Sequence, residues 1–416
     1  MEKELFALIR LGLGTSTVEE ESLADFIVMS EKQWRHVIDL ARKQGVLGIV
    51  LDGIEKCHTE STDYTEKLPP GLRLEMIGEV LQIEQRNRQQ MAVMEEMAGK
   101  WTQNGCRVMV MKGQANGTFY PKPEHRNPGD VDCFLINENE NDNLNENDNL
   151  NENENEDDNL NQNENDNENK SGYRIGNEVA REVGAKVDES WYKHSVISYK
   201  GETFENHQYF VHTRDGKRGK RLEKELEEEL VKVRGERLEV KECHTETTEI
   251  TESYTSFFLP LTSSTVMPPV QWNAMFLTYH ACAHFVSEGL RLKQIVDWAM
   301  FLKKYQEQVD WEAFYGFCER HHLCRFADAA TAICVRYLGV KVSVNVIVES
   351  PYAERILRNA LYDDDYVFSS GESGWKNRWH IVKNLFRYRW KYEEVYQTSV
   401  WKQLWWYASG FLFKTE

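Results

Sequence analysis

No two cysteines in this 416-residue sequence are spaced as CxxC, and the eight present (Cys57, Cys106, Cys133, Cys243, Cys282, Cys318, Cys324 and Cys334) do not follow the ligand spacing of a zinc site. Several fall in apolar helical patterns, which predicts reduced core thiols rather than a cross-linked scaffold. No uninterrupted apolar run is long enough to span a bilayer. The first residues carry Glu2 and Glu4 ahead of a short apolar patch, Phe6 to Leu13, which does not read as a secretory signal, so a cytoplasmic location is expected. GxGxxG, Walker and GxSxG strings with the right flanks are missing too. A net positive charge is also missing. The formal charge is −18, but residues 137–169 alternate Asn with Asp and Glu, holding 13 acids and no basic residue, and −5 remains once they are set aside. A global field that would recruit nucleic acid is therefore not expected, although a local basic patch is compatible with these numbers.

What is present is enough apolar residue, 41%, to bury a core, in a chain whose length predicts two or three domains. Residues 1–100 read as helices. Ser30 opens a segment from Trp34 to Leu51 with Val37, Ile38, Leu40, Ala41, Val46, Leu47 and Val50 on one face, and Leu74 to Trp101 is a second long segment of good helix formers. The periodicity then changes. Arg107–Met111 and Val131–Ile136 are short apolar, β-branched runs that read as buried strands. Tyr173–Val183 is helical up to Gly184, and Val196–Tyr199 with Thr203–Val211 form a hairpin around Lys200-Gly201. One α/β unit is expected over 101–215, interrupted by a low-complexity insertion, 137–170, too polar and too like-charged to order itself. The tract lacks the glycine and ligand pattern of a calcium loop. Replacing residues 139–168 by a short Gly/Ser linker is expected to shift the melting temperature by only a few degrees, because loop length costs little. A loss of cooperative melting would show that the tract packs on something. Residues 216–416 read as mainly helical, with Leu222, Leu226, Leu230 and Val233 on one face of a highly charged stretch.

The string that carries chemistry is MVMKGQANGTFYPKPEHRNPGDVDCFLI. A turn at Pro128-Gly129 delivers Asp130, and Asp132 follows after one apolar residue. Side chains on a strand alternate, so both carboxylates project from one face a few Å apart, at the edge of a core. There they repel and lose hydration, a cost that a divalent cation offsets, and oxygen ligands suit magnesium or manganese. The plainer reading makes Asp130 a turn cap and Asp132 a solvent-facing acid. Lys112-Gly113 at the end of the preceding strand, and Arg126 just upstream, add the positive charge and open backbone that a phosphate site needs.

In this order, strand–Lys-Gly, Tyr-Pro, Arg, then Gly-Asp-Val-Asp at a strand start, the sequence resembles the uncharacterised bacterial nucleotidyltransferases of the DNA polymerase beta-like superfamily. Leu40–Val46, and His280, His284, Arg291 and Asp297-Trp-Ala, resemble that family's flanking helices. The resemblance implies an α+β nucleotidyltransferase palm, a mixed sheet with helices, between N-terminal helices and a C-terminal helical domain. It implies a third carboxylate on a neighbouring strand, for which Glu205 is in place. The implied reaction is attack of an acceptor hydroxyl or phosphate on the α-phosphate of a nucleoside triphosphate, releasing pyrophosphate. Asp130 and Asp132 would hold two metals and Glu205 would share one of them, while Lys112, Gly113 and Arg126 would meet the phosphates. The superfamily's Gly-Ser pair stands here as Gly113-Gln114. The acceptor is not readable, a small molecule or protein being favoured over nucleic acid.

His280 and His284 stand one helical turn apart without the glutamate of a zinc protease, and read best as buried, hydrogen-bonded groups, with ordering of an active-site cleft as the alternative. The C-terminal tryptophans Trp379, Trp390, Trp401, Trp405 and Trp406 are expected to pack on the helical domain rather than to mark a membrane or partner surface. The rival to catalysis is a scaffold of the same fold that binds a nucleotide or a protein. A third option is an antitoxin-like or assembly role for the aromatic C-terminal helices.

Overall fold

The computed structural model of the chain describes residues 2–405 except 22–25, 27, 61–67, 139–166, 213–215, 243–257, 288, 344–345, 363–381 and 403. The acidic tract, Trp379, Trp406 and Cys243 lie outside the described residues.

The apolar stripe at the front of the chain does what its period dictates. Helix α1 (Glu2–Leu13) and α2 (Glu31–Lys43) bury their apolar faces, with Trp34, Val37, Ile38 and Ala41 fully enclosed. Gln33 reaches back at 2.9 Å to the Ser30 N–H and closes the start of α2. The single helix expected from Trp34 to Leu51 is instead two, because Gly45 takes a φ of +70° and α3 begins afresh (Leu47–Glu60). The break is fastened by tertiary bonds: Gln44 accepts from Leu292 N–H at 2.8 Å and donates to the Ala360 carbonyl at 2.9 Å. Helices α1 and α3 cross so closely that a Cβ on Gly12 or Gly53 would overlap the carbonyl of Ile49 or Leu8.

Helix α4 (Pro70–Gln103) is 34 residues long and runs beside the whole sheet. Glu84 meets His125 at 3.0 Å, and Asn87 and Gln90 donate to the carbonyls of Arg126 and Gly129 at 2.9 and 2.7 Å. Further along, Glu95 accepts from Thr262 and Ser263, Glu96 accepts from the Tyr199 hydroxyl at 2.8 Å, and the Trp101 indole donates to the Gly176 carbonyl at 3.0 Å.

The sheet has seven strands in the order β3–β4–β5–β2–β1–β7–β6. Its strands are β1 (Cys106–Val110), β2 (Val131–Asn137), β3 (Lys186–Asp188), β4 (His194–Tyr199), β5 (Glu202–His207), β6 (Leu259–Pro260) and β7 (Thr265–Met267). Strand β2 is buried on both faces, as its continuous apolar run requires, and lies antiparallel to β1 and parallel to β5. The expected hairpin is β4–β5, turning at Lys200-Gly201. Helix α5 (Asn167–Glu182) packs on β2, close enough that a Cβ on Gly172 would overlap the Leu135 carbonyl. Strands β6 and β7 come from the stretch read as mainly helical; β7 pairs parallel with β1 and extends the sheet past residue 215.

The remaining helices are α6 (Lys217–Glu242), α7 (Val270–Ser287), α8 (Leu292–Tyr305), α9 (Trp311–Arg320), α10 (Cys324–Leu338) and α11 (Ala353–Tyr362). Leu222, Leu226 and Leu230 form the buried edge of α6, as their spacing predicts. Six of the seven described cysteines are buried. No helix among the described residues is long and apolar enough to cross a membrane. One expectation fails at the C-terminus. Trp390 is buried, but Trp401 and Trp405 are 64% and 71% exposed, so packing on the helical domain does not account for them.

Candidate active site

Parallel pairing of β2 with β5 sets Asp132 directly opposite Glu205. Because strand side chains alternate, His207, two residues on from Glu205, shares that face. Carboxylate and imidazole atoms of Asp132, Glu205 and His207 lie within 4.8 Å of one another, the only such group of three metal-ligand-type residues among the described residues. His207 Nε2 is 3.2 Å from Asp132 Oδ1 and 3.4 Å from Glu205 Oε2, while its Nδ1 is 3.1 Å from the Tyr209 carbonyl. A carbonyl only accepts, so Nδ1 carries a proton. Nε2 is then the ring nitrogen that faces the two carboxylates. His194 stands 3.8 Å from Glu205; burial takes its imidazole down to about 4 even though Glu205 pulls the other way.

Asp130 stands at the mouth of the same group. Burial, then the negative charges of Glu205 and Asp132, push its carboxyl up. Burial would raise Asp132 as well, but Lys112 at 2.9 Å and His207 overcome it and hold that carboxyl well below the usual range. Lys112 follows β1 at the Gly113 turn, where φ is +68° and a Cβ would sit 3.1 Å from the Asp130 carbonyl oxygen, so this turn and the Asp130 loop lie in contact.

These groups form the acidic floor of a cleft of about 520 Å³ whose other wall comes from α7 and α8. That wall carries His280, His284, Arg291 and Lys293. Lys112 spans the two sides, with Nζ 3.1 Å from His280 Nε2. Burial and the Lys112 charge keep the His280 imidazole neutral, so it accepts from the ammonium. Burial and the Arg126 charge bring the Lys293 ammonium down to about 8.

Two buried networks position the acidic loop. Gln114 donates to Asn87 at 2.9 Å and to Gln90 at 2.6 Å, and those two side chains hold the carbonyls of Glu124, Arg126 and Gly129. Gln114 is thus engaged with α4 rather than with the cleft. Arg126 is buried and gives Nε and Nη2 to the two carboxylate oxygens of Asp297, both at 2.8 Å. Tyr120 and Asn116 add bonds to the same carboxylate at 2.6 and 3.2 Å.

Of the residues expected from sequence, Asp130, Asp132, Glu205, Lys112, Gly113 and Arg126 all line this one cleft. Arg126 differs from expectation in having two donors engaged by Asp297. His280 and His284 line the cleft, and His280 is also hydrogen-bonded to Lys112, in keeping with the reading of the pair as hydrogen-bonded groups. His207 was missed, although its two-residue spacing from Glu205 on a strand was the available signal.

A mixed sheet that places strand carboxylates in register, facing a helical wall, defines an α+β protein in which Asp132, Glu205 and His207 could hold a metal ion. The chain belongs to the family described as uncharacterised nucleotidyltransferase, whose model matches residues 30–339. Comparisons with curated proteins and with solved structures found no match.

Proposed function

We propose that this protein transfers a nucleoside monophosphate from a nucleoside triphosphate to an acceptor, with release of pyrophosphate. The observation that carries the reading is the in-register pair Asp132–Glu205, joined by His207 and bordered by Asp130, in a cleft whose opposite wall is cationic. The donor set fits a divalent cation. Carboxylate oxygens predominate, which suits magnesium or manganese, and the imidazole favours manganese of the two. Asp132, Glu205 and Asp130 would hold it, with His207 as a further ligand or as the group that orients Asp132. Bound there, such an ion supplies charge neutralisation and activation of the attacking oxygen.

The chain's own groups do the rest. Lys112, already bonded to Asp132 and His280, is placed to meet the triphosphate together with the open Gly113 backbone. Arg126, anchored by Asp297, contributes positive potential and holds the acidic loop to α8. His284, Arg291 and Lys293 line the side left for the remaining phosphates or the acceptor. A small molecule or a protein side chain remains the preferred acceptor class.

The engagement of Gln114 with α4 supports a second reading, a nucleotide-binding scaffold without turnover. Incubation with radiolabelled nucleoside triphosphates, manganese and fractionated cell extract separates the two. Turnover predicts pyrophosphate release and a labelled acceptor in one fraction. Nucleotide binding with no pyrophosphate in any fraction supports the scaffold.

A further inference from the structure

We propose that a second pocket, distinct from the cleft, binds the phosphate groups of a nucleotide, carried either free or in a nucleic-acid strand. It encloses about 390 Å³ where the start of α6, the end of α9 and residues 397–402 meet. Lys217, Arg218, Arg221, Arg320, Lys402 and His322 line it, and no carboxylate does among the described residues. None of its lining is shared with the cleft, and residues 397–402 fall outside the stretch matched by the family model. The pocket is separate from the cleft and does not depend on the transferase reading.

Among the described residues the positive charge gathered here is only partly compensated. Glu225 is the one carboxylate engaged nearby: it pairs with Arg320 at 3.0 Å and lies 3.1 Å from His321 and 3.8 Å from Arg221. Among the described residues, Lys217, Arg218 and Lys402 have no carboxylate partner. Burial, then the charges of Arg218 and Arg221, push the His322 imidazolium down. Arg218 stacks over Tyr396 at 3.8 Å and donates through Nη2 to the His321 carbonyl, while its buried Nε has no partner among the described residues.

The backbone is also committed here. His322 and Gln397 have φ of +55° and +50°, two of the three left-handed non-glycine residues described, and both line this pocket. Such conformations are costly and persist where surrounding structure holds them, as at ligand sites. Several arginine and lysine heads around one small space match a ligand with more than one negative charge, and guanidinium forks match phosphate oxygens. Next to Lys402 in the chain stands Trp401, with Trp405 one turn further, both largely exposed. Neither indole is part of the pocket lining and Trp401 meets Phe386 edge-on at 5.2 Å, so they are the exposed aromatics nearest in the chain on which a base could stack.

The test uses the whole chain in EDTA buffer, titrated with inorganic tripolyphosphate and, separately, with a fluorescein-labelled single-stranded oligonucleotide. Lys217→Glu/Lys402→Glu reverses two exposed charges at the pocket. Lys32→Glu/Lys341→Glu makes the same charge change elsewhere. All three proteins should melt together, since each lysine is exposed. The pocket variant should lose about ten-fold or more in affinity, with the control close to wild type. Loss for tripolyphosphate alone assigns the site to a free nucleotide; loss for the oligonucleotide, with or without tripolyphosphate, assigns it to a strand. Equal weakening in both double variants, or no binding of either probe by wild type, overturns the proposal.

Discussion

Asp132→Asn is expected to reduce nucleotidyl transfer by ~10³-fold or more, because the side chain that organises the acidic floor loses its charge where several kcal/mol of transition-state stabilisation depend on it. Divalent-cation binding should weaken sharply in parallel. Glu205→Gln should give a related, smaller defect, since the Glu205 side chain is more exposed than that of Asp132. The sequence alone suggests that removing one of two repelling carboxylates leaves the metal-free fold slightly more stable. The structure reverses that expectation. Asp132 is held between Lys112 at 2.9 Å and His207 at 3.2 Å, so the amide forfeits charge-assisted bonds and costs about 1–3 kcal/mol. Calorimetric titration of manganese with nucleoside triphosphate into wild type and both variants decides the matter. Identical binding by all three, or none by wild type, would sink the catalytic assignment.

The largest effect on stability is expected at Asp297. Its replacement by alanine strands the Arg126 guanidinium in a buried position with no counter-charge, and such losses cost about 3–5 kcal/mol. In a chain of this size that lowers the melting temperature by on the order of 10 °C. Asp297→Asn keeps the shape and part of the bonding and should fall between. The pH dependence has a definite sign. Burial would raise the Asp297 carboxyl, but Arg126 outweighs it and holds it low, so this stabilisation is present at neutral pH. It is lost only as pH falls below the ordinary carboxylate value towards the folded one. An unchanged melting curve for Asp297→Ala would mean that the pair contributes nothing.

The Asp130–Asp132 part of the acidic floor was legible because it is local. The two stand one residue apart in a single short run, with Asp130 just before β2 rather than on it as expected, and Lys112 follows the neighbouring strand, whereas Glu205 came from the family resemblance. The supports were not legible. Arg126 and Asp297 are 171 positions apart, and no periodicity connects them. Strands β6 and β7 have two and three residues, too few to display a period of two. The break at Gly45 depends on Gln44 finding partners in α8 and α11, information that the helical stripe around it does not contain. The exposure of Trp401 and Trp405 is a fact about what fails to cover them, which hydrophobicity cannot report.

Helix α4 acts as a ruler. Its 34 residues extend about 50 Å, and along that length it engages the acidic loop through Asn87 and Gln90, one sheet edge through Glu95, the β4–β5 turn through Glu96 and α5 through Trp101. These attachments are keyed to angular position as much as to residue type. One residue inserted between Gln90 and Glu95 would rotate everything beyond it by about 100° and take the later attachments out of phase with the earlier ones. Length along this segment is therefore constrained as tightly as residue type, and the spacing from Asn87 to Trp101 is itself a component of the site.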